Sequence, residues 1–131
     1  LLEAPMRTAS VLLPLLVLVA SCDGDESIVC TTEARFGVNL SVKDATTGQL
    51  IPEGVRGSLK DGTYLDSLQV FTDIEGRIFS LAGAVERPGT YRVDLVAPGY
   101  QPWTRSDVRV EEGRCHVTPV SLVAEMAPTG G

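Results

Sequence analysis

Three cysteines, one histidine and a set of acidic turns are the residues whose types could do chemistry in this chain. Cys22, Cys30 and Cys115 could pair, carry a group or attack as thiolates. His116 follows Cys115 directly. A Cys–His nucleophile pair needs both side chains on one face, and successive strand residues face opposite ways. Alternation therefore predicts an outward-facing His116 without a role. No Gly-x-Ser-x-Gly elbow and no phosphate-cradling glycine loop is present. One histidine and three cysteines are too few for most zinc sites. Asp61 and Asp66 bracket one turn, and Asp73 and Glu75 share another. Calcium takes about six to eight converging oxygens, and this spacing matches no calcium loop, so these acids are expected to be solvated. The expectation is no catalytic residue, no metal and no cofactor.

The first cysteine has a different setting. Arg7 precedes an apolar run from Val11 to Ala20, a charged region followed by a hydrophobic one, as in an export signal. The run is short of the about 20 residues of a membrane-spanning helix, and Pro14 interrupts it. Met6 is a candidate start. Val19-Ala20-Ser21-Cys22 resembles a bacterial lipobox, in which small residues precede a cysteine that becomes lipidated. Each buried methylene of such an anchor contributes about 0.8 kcal/mol, so several acyl chains hold a protein firmly. The resemblance implies a signal peptide over 1–21, lipidation (palmitate among the acyl chains) at Cys22, and a lipid-anchored protein of the bacterial envelope, facing periplasm or exterior. Asp23 to Ser27 would follow as part of a short tether over 22–33.

With Cys22 acylated, Cys30 and Cys115 remain, and an exported compartment is oxidising enough to pair them. Residue 30 shares the parity of Phe36 and Val38, and Cys115 that of Val117. Both thiols are therefore expected to point into the core from the first and last strands. Closing so long a loop stabilises by about 4 kcal/mol in the chain-entropy model.

The elements that must hold these residues are strands. The chain has 131 residues, 44% of them apolar, enough for one core. Its 17 acidic residues outnumber 11 basic ones for a net charge of −6, which argues against nucleic acid as a partner. Phe36, Val38, Leu40 and Val42 alternate with Gly37, Asn39, Ser41 and Lys43, a half-buried strand. Asp61-Gly62 marks a hairpin from which Tyr64 to Phe71 returns. Turns at Asp73–Gly76, Pro88-Gly89, Pro98-Gly99 and Glu112-Gly113 separate further short runs. Tyr91, Val93 and Leu95 share one face. The parity shift from Val117 to Val120 around Pro119 predicts a bulge in the last run, Arg114 to Val123. About seven short strands at this spacing predict an all-β sandwich over 34–123, with a flexible tail over 124–131.

Several of the turns resemble those of carboxypeptidase regulatory-like domains. The stretches are Asp44–Pro52, Asp73-Ile74-Glu75-Gly76-Arg77-Ile78, Gly89-Thr90-Tyr91 and Ala97-Pro98-Gly99-Tyr100, in the family's order. The resemblance implies a transthyretin-like (prealbumin-like), seven-stranded Greek-key β-sandwich that is an accessory or interaction module and not an enzyme. Two relatives of that fold are tested by residue. Collagen-adhesin repeats carry a Lys–Asn crosslink, but Lys43 alternates outward and the sole Asn, Asn39, sits on the same strand. Hydroxyisourate hydrolases need several histidines, and this chain has one.

The expected function is a noncatalytic structural or protein-interaction module whose partner is another envelope protein. The alternative is a carbohydrate- or peptide-binding module. Its contacts would be Tyr100 and Trp103, on a loop stiffened by Pro98 and Pro102. Ahead of that reading stands the plainer one, in which those rings cap the open end of the core, since a small sandwich has few other large core residues.

Overall fold

The computed structural model describes residues 27–130. The stretch 1–21, expected to be a signal peptide, and Cys22, the expected lipidation site, lie outside the described residues. The chain is all-β, and nine strands form two sheets among the described residues. They are β1 (Phe36–Asp44), β2 (Arg56–Asp61), β3 (Tyr64–Ser67), β4 (Gln69–Thr72), β5 (Ile78–Val85), β6 (Gly89–Val96), β7 (Trp103–Glu112), β8 (Val117–Thr118) and β9 (Val120–Met126). One sheet has the order β4-β5-β1-β9 and the other β3-β2-β6-β7-β8. β1 and β9 run parallel, with Val38 opposite Val120 and Asp44 opposite Met126. The other pairs are antiparallel.

Alternation builds the core. Val38, Leu40 and Val42 of β1 and Tyr91, Val93 and Leu95 of β6 are buried, as their period predicts. Leu59, Leu81, Val108, Val110, Ala124 and Met126 are among the residues that join them. Phe36 departs from the pattern. It is half-buried and meets Phe71 edge-on, with ring centroids 5.5 Å apart. Asp61-Gly62 makes the expected tight hairpin: Asp61 pairs with Tyr64, and Gly62 has a φ of 58°. Gly57 is glycine because a Cβ there would collide with the Leu95 and Leu68 side chains.

Two expected strands are each divided between the sheets. The return from Tyr64 is not one strand. Leu68, buried at the corner, separates β3 in one sheet from β4 in the other. Pro119 likewise separates β8 from β9, so the parity shift marks a change of sheet. The sandwich also continues past residue 123. Ala124 and Met126 are fully buried, and Thr129 N–H donates to the Gly99 carbonyl at 2.9 Å. The flexible tail expected over 124–131 is corrected here: pairing of β9 with β1 carries the sandwich on to Met126, opposite Asp44.

Strand directions define two poles. At one, β1 begins, β5 turns into β6, and β7 turns into β8. At the other, β1 ends, β6 passes to β7, and residues 127–130 close over the loop at 99–101. They are called here the bridge pole and the tyrosine pole.

Candidate functional site at the two poles

Cys30 and Cys115 form a disulfide at the bridge pole, with Cα atoms 5.2 Å apart. The bridge does not lie in the core. Residues 27–35 form no strand, Cys30 is exposed, and Cys115 sits half-buried in the 113–116 turn. Alternation fails for both cysteines because neither belongs to a strand. The segment expected as a tether is therefore fastened to the sandwich from residue 30 onward.

His116 is not a free surface histidine. Its side chain is only 11% exposed, and both ring nitrogens are engaged. Nδ1 lies 2.7 Å from Glu86 Oε1 and Nε2 lies 2.9 Å from Thr31 Oγ1. Glu86 stands at the β5–β6 turn in a left-handed conformation, φ 47°, beside Ala84 at 55°. Its carboxylate also accepts the Arg35 N–H at 2.7 Å and the Val117 N–H at 3.2 Å. Desolvation works to raise the Glu86 pKa, but the bonds from Arg35, His116 and Val117 outweigh it and hold the group below its ordinary 4.5. One carboxylate thus ties together the entering segment, the β5–β6 turn and the start of β8.

An ionised carboxylate only accepts, so the proton of a neutral His116 sits on Nδ1. Nε2 then accepts, and the Thr31 hydroxyl donates to it. Sequence reasoning missed this constellation because it restarted the strand at Arg114. The signal available was the adjacency of His116 to Cys115: pairing Cys115 with Cys30 carries His116 to residues 29–32.

At the tyrosine pole, the Pro98-Gly99 turn closes with Tyr100 N–H donating to the Ala97 carbonyl at 3.1 Å. Tyr100 donates its hydroxyl to Asp44 Oδ2 at 2.7 Å. Asp44 also accepts the N–H groups of Thr46 and Thr47, which shapes the turn after β1. The Tyr100 bond and these two backbone bonds lower the Asp44 pKa below 3.8, and the same Tyr100–Asp44 bond raises the Tyr100 pKa. Trp103 begins β7, opposite Leu95, with the Arg105 guanidinium 5.4 Å from its ring. Both rings are half-buried against the core.

The turn acids are occupied by the protein itself. Asp61 pairs with Arg87 at 3.0 Å, and Asp66 accepts the Tyr64 hydroxyl at 3.2 Å. Asp73 accepts two backbone N–H groups and the Arg77 side chain. No group of three potential metal ligands occurs among the described residues. No helix among them is long and apolar enough to cross a membrane.

In comparisons with known proteins, the chain matches no family model and no curated protein.

Proposed function

We propose that this chain is an exported, lipid-anchored β-sandwich of the bacterial envelope. It serves as a noncatalytic structural or protein-interaction module whose partner is another envelope protein. The Cys30–Cys115 disulfide carries the reading. Such a bond persists in oxidising compartments, and it leaves Cys22 as the one cysteine available for acylation. The bridge also fastens the chain to the sandwich shortly after Cys22. A lipid at that position would hold the bridge pole toward the membrane and present the tyrosine pole outward.

The finer fold reading is a transthyretin-like Greek key of the carboxypeptidase regulatory-like kind. Counting β3 with β4 and β8 with β9 as two bent strands gives a seven-strand sandwich, which supports it. Glycan or peptide contact through Tyr100 and Trp103 is the weaker proposal, since the Tyr100 hydroxyl is committed to Asp44 and both rings lean on the core.

Two measurements test the proposal. Labelled palmitate should enter the wild type and be lost in Cys22→Ser; equal labelling of the two would overturn the anchor. Cross-linking in native membranes should give a discrete adduct with an envelope protein that is lost in the soluble Cys22→Ser form. If no adduct forms in either, the interaction role fails and a glycan ligand becomes the reading to test.

A further inference from the structure

Thr31, His116 and Glu86 come from three separate segments and are joined by two successive hydrogen bonds. The order is hydroxyl, imidazole, carboxylate, at 2.9 and 2.7 Å. That is the geometry of a nucleophile, its base and the group that orients the base. We propose that Thr31 is an activated acyl acceptor: its hydroxyl takes an acyl group from an activated ester, His116 acts as general base, and Glu86 fixes the imidazole.

Exposure follows the same order. Thr31 is exposed and open to a donor, whereas His116 and Glu86 are withdrawn behind it, at 11% and 32% side-chain exposure. Glu86 is itself held by the Arg35 and Val117 N–H groups, so the imidazole cannot turn without breaking a bond to a fixed carboxylate. A depression of about 410 Å³ lies beside Thr31 and His116. Val29 and Pro119 give it an apolar wall, and Arg35 and Arg114 a cationic one. Arg35 is paired with Glu33, but Arg114 forms no ion pair among the described residues. That leaves a cation for the negative oxygen of a tetrahedral intermediate. The chemistry fits an ester with a short apolar acyl group.

In the step, the Thr31 oxygen bonds to the ester carbonyl carbon while its proton passes to His116 Nε2. Collapse breaks the bond from that carbon to the leaving oxygen, which takes the proton from His116. One acyl group moves, one alcohol or phenol leaves, and no oxidant or reductant is needed. A single acylation of the protein goes beyond the interaction role and does not rest on it.

The test is acetylation of the purified full chain by p-nitrophenyl acetate, located by peptide mass spectrometry. Thr63 is the internal control, an exposed threonine at the Asp61–Tyr64 turn with no histidine bound to it. A positioned base contributes on the order of a hundredfold, so Thr31 should acetylate about that much faster than Thr63. His116→Phe should bring the two rates together, and Thr31→Ser should keep the advantage. Thr31→Val, a change at an exposed position, should remove the fast adduct while the bridge remains formed. Equal rates at Thr31 and Thr63 in the wild type would overturn the proposal. So would a Thr31 rate that His116→Phe leaves unchanged in a protein with its bridge intact. The cluster would then be a clamp alone.

Discussion

The two poles of this sandwich solve the same problem with different chemistry. Each must close a set of loops over the open end of the core. The bridge pole uses a covalent bond and a shared carboxylate, Glu86, that joins its own turn to two other segments. The tyrosine pole uses local turn chemistry: Asp44 folds its own turn and takes one long-range bond from Tyr100. The difference follows from what arrives at each end. The segment before β1 forms no strand and is held mostly by side chains, with one backbone bond from Glu86 N–H to the Arg35 carbonyl at 2.9 Å. Residues 127–130 reach the loop at 99–101 through backbone bonds, including Gln101 N–H to the Ala127 carbonyl at 2.8 Å. A tied end resists pulling, which suits the pole through which the proposed anchor would act.

The largest effect should come from breaking the covalent tie. The bridge spans 85 residues of sequence. Replacing both cysteines, Cys30→Ser with Cys115→Ser, should cost up to about 4 kcal/mol if the whole loop belongs to the cooperative unit. Urea unfolding measures it. A loss below about 1 kcal/mol would mean that residues 30–35 detach alone, and the bridge would be a local latch. In that second case amide exchange at Gln101 and Thr129 should be unaltered, because those bonds belong to the other pole.

Next in size is the shared carboxylate. Glu86→Ala removes the acceptor for Arg35, Val117 and His116 together and keeps an unfavourable positive φ at the turn. It should lower the melting temperature more than Asp44→Ala does at the tyrosine pole. Two of the Asp44 bonds are local turn bonds that exposed N–H groups can replace with water. Glu86→Gly should be milder than Glu86→Ala, since glycine relieves the strain that alanine retains. If Asp44→Ala is the more damaging, the ranking of the poles is reversed.

A smaller change separates the tyrosine ring from its hydroxyl. Tyr100→Phe keeps the packing against the core and removes only the bond to Asp44. It should lower the melting temperature slightly and return the Asp44 pKa toward its ordinary value, because that bond is the main cause of the shift. An unchanged Asp44 titration, followed by NMR, would show that the turn N–H groups hold the carboxylate by themselves.

Much of this architecture was legible in the residues, and the failures share one cause. Val38-Leu40-Val42 and Tyr91-Val93-Leu95 declared their buried faces because a strand packed on one side must alternate. Asp61-Gly62 declared its turn because glycine tolerates the positive φ found there. The cysteines could be paired by elimination, but their place could not. Alternation does not extend into residues 30–35 and 113–116, which are not strands. The outward direction it predicts for His116 fails for that same reason. Leu68 and Pro119 look like ordinary strand residues in one dimension, and only the packing of two sheets shows them to be corners. The Glu86 cluster joins residues 31, 35, 86, 116 and 117, and no local pattern connects positions so far apart.

The smallest effect should be the pH response, and it sharpens the contrast because the bridge does not titrate. Asp44 is held below its ordinary 3.8 by Tyr100 and by the Thr47 and Thr46 N–H groups. Asp73, in the β4–β5 turn at the tyrosine pole, is held below 3.8 chiefly by the Arg77 N–H. Glu86 lies below 4.5 at the bridge pole. A carboxyl whose pKa falls on folding stabilises the protein fully above its unfolded pKa, and loses that contribution as pH falls through the folded value. All three therefore leave neutral stability intact and weaken it only below about pH 4.5. Two of the three sit at the tyrosine pole, where no covalent tie remains to hold the loops. Acid should therefore speed amide exchange at Gln101 and Thr129 before it does so at Val117, once the intrinsic pH dependence of exchange is divided out. Tyr100 works with the opposite sign. Its pKa is raised above 10.0, so the stability it adds is present below that value and is lost as alkali drives the hydroxyl to ionise. The tyrosine pole should thus loosen first in acid, whereas alkali also reaches the β2–β3 hairpin, where desolvation and Asp66 raise the Tyr64 pKa. If Val117 opened first in acid, Glu86 and not the disulfide would be the main hold on the bridge pole.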